Sequence, residues 1–128
     1  MAGNHSTMNT EVVLLVDDEE CIRGLVRCIL EETGFVVMDA SNGQEALDMC
    51  KAHPGPIDIL LSDVELPELG GRELAAGARE LRPGLRILLM SGLGEEDVFD
   101  HRVPAGTAFL QKPFTSNALR QKVRAATA

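Results

Sequence analysis

Five polar side chains stand where apolar runs stop. Ile59-Leu60-Leu61-Ser62 runs into Asp63, Val12–Val16 runs into Asp17-Asp18, the run over 85–90 ends at Ser91, and Phe109-Leu110-Gln111 runs into Lys112. Three carboxylates crowded together repel one another, so they either raise each other's pKa or bind a cation. An all-oxygen ligand set suits a hard ion, Mg²⁺ above all, which keeps several waters and accepts one or two protein carboxylates. No His or Cys stands near these positions, which disfavours zinc. Lys112 supplies a point charge able to hold a phosphoryl oxygen, and Ser91 a hydroxyl donor. Metal, ammonium, hydroxyl and one spare carboxylate are what phosphoryl transfer needs. The cations neutralise the equatorial oxygens while a carboxylate attacks in line.

Each residue alone has a bland explanation. Asp17 and Asp18 fit an N-cap and first-turn acid of the helix that follows; Lys112 fits a surface charge and Ser91 a turn residue. Their shared position at strand ends carries the functional reading, because ligands of an open parallel sheet gather outside the carboxyl ends of its strands.

The elements that must position them alternate along the chain. Strands are expected over Val12–Val16, 35–39, 57–62, 85–90 and 107–111. The first is apolar throughout, as in a strand covered on both faces. Helix one shows Ile22, Leu25, Val26, Ile29 and Leu30 at helical spacing, with Arg23, Arg27, Glu31 and Glu32 opposite. Gly34 stops it. Helix two is expected behind a cap of Ser41 with Gln44, with Ala46, Leu47 and Cys50 inward. It ends at His53, where the helix dipole favours a cation. Helix three turns Leu74, Ala75, Ala78 and Leu81 to one face. A short acidic helix runs from 95 to about 102, before Pro104 and Gly106. Helix five starts at Thr115 or Ser116, with Leu119, Val123 and Ala126 inward. This alternation predicts an α/β fold: one doubly wound, flavodoxin-like sheet of five parallel strands in the order 2-1-3-4-5, with five helices on its two faces. That order puts strands one and three side by side, so Asp17, Asp18 and Asp63 converge.

Bulk properties narrow the function further. A chain of 128 residues with 45% hydrophobic content fits one domain: a polar tail over 1–10, holding His5 and Met8 (a candidate native start), and the domain proper over 11–128. A net charge of −8 argues against a nucleic-acid surface. Tyr and Trp are absent, which argues against aromatic stacking of bases or sugars. Cys21, Cys28 and Cys50 are odd in number and form no C-x-x-C, so they read as core or half-buried residues of a reducing cytosol. With no membrane-length apolar run and no signal pattern, the expectation is a cytoplasmic domain without membrane contact.

Four motifs carry a resemblance. Val-Asp-Asp-Glu at 16–19, Leu-Ser-Asp-Val-Glu-Leu-Pro at 61–67, Met-Ser-Gly at 90–92 and Phe-Leu-Gln-Lys-Pro-Phe at 109–114 resemble the receiver domain of two-component response regulators, from about Glu11 to Ala126. The resemblance implies that Asp63 accepts a phosphoryl group from a phosphohistidine on a histidine kinase or phosphotransfer protein. It implies Mg²⁺ held by Asp18 directly, by Asp17 partly through water, by Asp63 and by the backbone carbonyl of Glu65. Lys112 then pairs with Asp63 and later with the phosphoryl group. Ser91 bonds a phosphoryl oxygen, and Phe109 is the switch aromatic that turns inward. The output is a surface of helix four, strand five and helix five. Such a domain is no enzyme toward other substrates; it catalyses its own phosphorylation and dephosphorylation, as a monomer or weak homodimer. A cis bond at Lys112-Pro113 is in keeping with the family. Glu65 departs from it: many members carry a neutral residue there, so altered self-dephosphorylation is expected. No output domain is expected after helix five, and the phrasing of the motifs leans toward receivers of hybrid sensor kinases.

Rival readings fare worse. A Mg²⁺-dependent phosphatase wants Asp-x-Asp at its nucleophile, and here Glu65 stands two after Asp63. A serine hydrolase wants a Gly two before Ser91, where Leu89 stands, with only His101 following. A dinucleotide or flavin binder wants a glycine-rich turn after strand one. A pure interaction module has no use for the intact Asp63, Lys112 and acid pair.

Overall fold

The computed structural model describes residues 11–128; the expected tail over 1–10, with His5 and Met8, lies outside the described residues. The elements run β1 (Val12–Val16), α1 (Glu20–Glu32), β2 (Val36–Ala40), α2 (Gly43–Ala52), β3 (Ile59–Asp63), α3 (Gly71–Leu81), β4 (Arg86–Ser91), α4 (Glu95–Val98), β5 (Ala108–Gln111) and α5 (Ser116–Thr127). The strands form one parallel sheet in the order β2-β1-β3-β4-β5, as the alternation predicts.

Strand side chains alternate between two cores. Leu14, Val16, Leu60, Ile87 and Leu89 face α2 and α3, and Val13, Leu15, Ile59, Leu61, Leu88 and Met90 face α1 and α5. A strand covered on both faces has no polar side, which is why β1 and β3 read as unbroken apolar runs. β3 is the central strand and is buried along its whole length, and Asp63 stands at its end.

Several local expectations are corrected. The α2 cap is Asn42, whose side chain accepts from the Glu45 amide at 2.8 Å. Glu45 reaches back to the amide and hydroxyl of Ser41 at 2.9 and 3.0 Å. The reciprocal capping pair therefore sits one residue later than Ser41 with Gln44. α4 is a single turn of four residues instead of running to about 102. Its continuation is held as loop: Arg72 donates to the carbonyls of Val98 and Asp97 at 2.7 and 3.1 Å, and Arg79 to those of Leu85 and Ala105 at 2.9 and 3.1 Å. Cys21 and Cys28 are exposed, whereas Cys50 is buried. Leu25, expected inward, is 60% exposed. Positions 21, 25 and 28 share one helical face, and the buried stripe of α1 is Val26, Ile29 and Leu30. Leu81 is exposed too, at the last turn of α3.

Candidate functional site

The sheet register fixes the acids. The Asp17 amide donates to the Ala40 carbonyl at 3.3 Å, carrying the ladder one residue past β1. The Val64 amide does the same toward Met90 at 2.9 Å beyond β3. With β1 and β3 adjacent, one carboxylate oxygen from each of Asp17, Asp18 and Asp63 lies within 4.8 Å of the others. Asp17 is fully buried, Asp63 is 4% exposed and Asp18 faces solvent.

The lysine joins them from the far strand. Lys112 follows β5, and its amide donates to the Ser91 carbonyl at 2.8 Å. Its Nζ donates to Asp63 Oδ2 at 3.1 Å. The other Asp63 oxygen accepts from the Glu65 amide at 3.2 Å. Burial works against the Lys112 charge, but the hydrogen bond to Asp63 and the negative charges of Asp63, Asp17 and Glu65 outweigh it and raise its pKa above the ordinary lysine value. The Lys112-Pro113 peptide is cis.

Asp17 is the anomalous member. Its Oδ1 accepts from the Glu19 amide at 2.9 Å, while its buried Oδ2 has no hydrogen-bond partner among the described residues. Burial pushes its carboxyl above the ordinary range, against the Glu19 hydrogen bond and the Lys112 charge. A buried carboxylate oxygen without a donor is costly, and a cation bound there would supply what it lacks. The donor set is all oxygen and opens toward solvent at Asp18, which fits a hard divalent ion.

Ser91 is buried beside the acids but does not touch Asp63. It donates to Glu65 Oε2 at 2.7 Å and accepts from the Leu93 amide at 2.9 Å. The Glu65–Ser91 contact links side chains 26 residues apart, and no sequence periodicity signals it. Phe109, expected to turn inward, is already buried, its ring 6.0 Å from Phe99 at 89°. Gly71 is a site-supporting residue whose reason the sequence hid. It reads as a chain breaker beside Gly70, yet it opens α3 with an ordinary backbone. Its amide bonds the Val64 carbonyl at 2.9 Å, and a Cβ there would lie 2.7 Å from Val64 Cα and closer still to the Asp63 carbonyl. Only glycine lets α3 pack this tightly behind the acid.

Beside Lys112 the surface is apolar. Ile22, Leu25, Val26 and Ile29 of α1, with Pro113 and Phe114, line an open groove that Lys112 borders. This is where the exposed Leu25 lies.

Comparison with known proteins agrees with this geometry. Residues 13–124 match the model of the response regulator receiver domain. The chain is 38% identical to the sensor kinase CckA of Brucella abortus, over 88% of this chain and 12% of that protein. It thus spans about one-eighth of the length of that sensor kinase. It is 36% identical to the chemotaxis protein CheY of Halobacterium salinarum, over 80% of this chain and 84% of that one. Among solved structures, the receiver domain of the hybrid histidine kinase CckA superposes with a TM-score of 0.79 at 29% identity, covering 91% of this chain and 99% of that one. A parallel sheet in the order 2-1-3-4-5, an acid cluster at its carboxyl edge and a match over nearly the whole described chain agree on one conclusion: this chain belongs to the response regulator receiver domains of two-component signalling.

Proposed function

We propose that residues 11–128 act as one receiver domain in which Asp63 takes a phosphoryl group from a phosphohistidine of a histidine kinase or phosphotransfer protein. The observation that carries this is the contact of Lys112 Nζ with Asp63 Oδ2 beside the buried, half-satisfied Asp17. Asp63 is the acid of the three that accepts a hydrogen bond from the lysine.

An Asp63 oxygen attacks phosphorus in line. The P–O bond of an acyl phosphate forms as the P–N bond breaks; that bond's electron pair returns to the ring nitrogen, and the donor ring, already protonated at its other nitrogen, leaves as neutral imidazole. Asp17, Asp18, Asp63 and the carbonyl of Glu65 would hold Mg²⁺, which supplies charge neutralisation for the transferring group. Lys112 exchanges its carboxylate partner for a phosphoryl oxygen, so its charge stays paired throughout. Ser91 reaches a phosphoryl oxygen from β4. Phe109, already packed inward, keeps β5 fixed to the core while the loop after β4 moves. The change reads out on the α4–β5–α5 surface. The groove bordered by Lys112 is apolar and adjoins the reacting group, which suits a helix carrying the donor histidine. The match to CckA supports a receiver from a hybrid sensor kinase.

The test is phosphotransfer. A histidine phosphotransfer domain labelled on its phosphohistidine is mixed with this protein with and without Mg²⁺. Label moving to wild type but not to Asp63→Asn, only with Mg²⁺, supports the reading. Label retained by several such donors, or moving equally to the variant, contradicts it.

A further inference from the structure

We infer that the Glu65 side chain is a latch that holds Ser91 away from the phosphoryl site, making Glu65 a positioning residue for the switch. The inference rests on the proposed role of Asp63.

The hydrogen-bond inventory of Ser91 is the basis. A serine hydroxyl has one proton to donate. A carboxylate only accepts, so at 2.7 Å Ser91 directs that proton at Glu65 Oε2. The Leu93 amide donates to Ser91 Oγ at 2.9 Å, tying the loop after β4 to this arrangement. A phosphoryl oxygen also only accepts. Ser91 can therefore bond a phosphoryl group on Asp63 only after giving up Glu65. The two states are exclusive, and the loop carrying Leu93 follows Ser91 in either.

The asymmetry of the pair makes the exchange workable. Ser91 is fully buried on β4, whereas Glu65 is exposed on the loop after β3. Glu65 can swing into solvent while Ser91 turns in place. A hydrogen bond to a charged acceptor is also stronger than one between neutral groups, so the latch biases the unmodified protein toward the off arrangement. A phosphoryl group, itself an anion, repels the Glu65 carboxylate and drives the latch open. A residue without an acceptor here would leave Ser91 free, so Glu65 sets a threshold for switching.

The test is a double-mutant cycle on Glu65→Ala, Ser91→Ala and the double variant. Affinity for beryllofluoride, a phosphoryl mimic, is measured with Mg²⁺ by fluorine NMR. Glu65→Ala should bind about tenfold tighter than wild type, from release of one charge-assisted hydrogen bond. Glu65→Gln should lie between, because it keeps an uncharged acceptor. In the Ser91→Ala background the gain should shrink to the part owed to the Glu65 charge. An equal gain in both backgrounds means that Glu65 acts through its charge alone, and overturns the latch. The Leu93 amide resonance, recorded without the mimic, should move in Glu65→Ala. An unmoved resonance overturns the latch whatever becomes of the receiver role. Failure of every variant and of wild type to bind beryllofluoride, with Mg²⁺ bound, defeats the receiver reading itself and the latch with it.

Discussion

Lys112 Nζ lies 3.1 Å from Asp63 Oδ2, joining residues 49 apart in the chain across β3, β4 and β5. The pair is uneven: the lysine side chain is 26% exposed and the aspartate 6%. Removing the lysine leaves a nearly buried carboxylate facing Asp17 without its cation. Lys112→Met should lower the stability of the metal-free protein by about 2 kcal/mol. It should also slow phosphoryl uptake at least ~100-fold, the usual scale for losing an electrostatic stabiliser. Urea unfolding and adduct formation check the two effects separately.

Asp17 should give the metal-free protein a characteristic pH dependence. Its folded-state pKa lies above the ordinary 3.8, so the folded protein binds this proton more tightly than the unfolded one. Its contribution to stability is greatest at low pH. It falls as pH rises from 3.8 through the folded value and stays down above it. Asp17→Asn should abolish that fall. Without metal at neutral pH the variant should be more stable than wild type by about 1–3 kcal/mol, the cost of an unsatisfied buried group. Mg²⁺ at a hundredfold its Kd should stabilise wild type by about 2.7 kcal/mol and the variant far less. Thermal unfolding with and without Mg²⁺ across pH 4–8 checks the signs.

Gly71→Ala should be costly although its backbone angles are ordinary. The added methyl meets the backbone of Asp63 and Val64, which cannot swing aside as a side chain can. A loss of about 1–3 kcal/mol in urea unfolding is expected. Gly84→Ala, whose Cβ has open space, is the control and should change stability by under ~1 kcal/mol.

Arg72 should govern the order of the segment after α4. With one helical turn, that segment depends on the Arg72 bonds to Val98 and Asp97 and on a longer ion pair to Asp100 at 3.8 Å. Arg72→Ala should speed amide hydrogen exchange around 97–100 about tenfold, near 1.4 kcal/mol of local opening. The β1 and β3 amides should be unaffected. Uniform acceleration across the sheet would mean that the segment is not a separate unit.

The architecture was legible because β1 and β3 are covered on both faces and advertise this as unbroken apolar runs, with chemistry starting where the runs stop. Position alone pointed to Asp17, Asp18, Asp63 and Lys112, which the parallel sheet brings together at one edge, and to Ser91, which bonds Glu65 beside them. What stayed hidden depends on side-chain reach. Leu25 matches the helical period of α1, yet it sits with Cys21 and Cys28 on the outer face, beside the groove. α4 looks like a two-turn helix until Arg72 claims the carbonyls of Asp97 and Val98, which a second turn would need. The Asn42–Glu45 cap differs from Ser41 with Gln44 by one residue, a distinction that φ and ψ decide and residue types do not. Glu65 drew notice as an unusual acid, but its bond to Ser91 could be seen only once β3 and β4 were side by side.

The measurement that bears most directly on the central claim is Mg²⁺-dependent labelling by acetyl phosphate, read by intact mass on wild type and Asp63→Asn. The account predicts a single phosphoryl adduct on wild type that needs Mg²⁺ and is absent from the variant. No adduct on wild type with Mg²⁺ bound, or an equal adduct on Asp63→Asn, would contradict it.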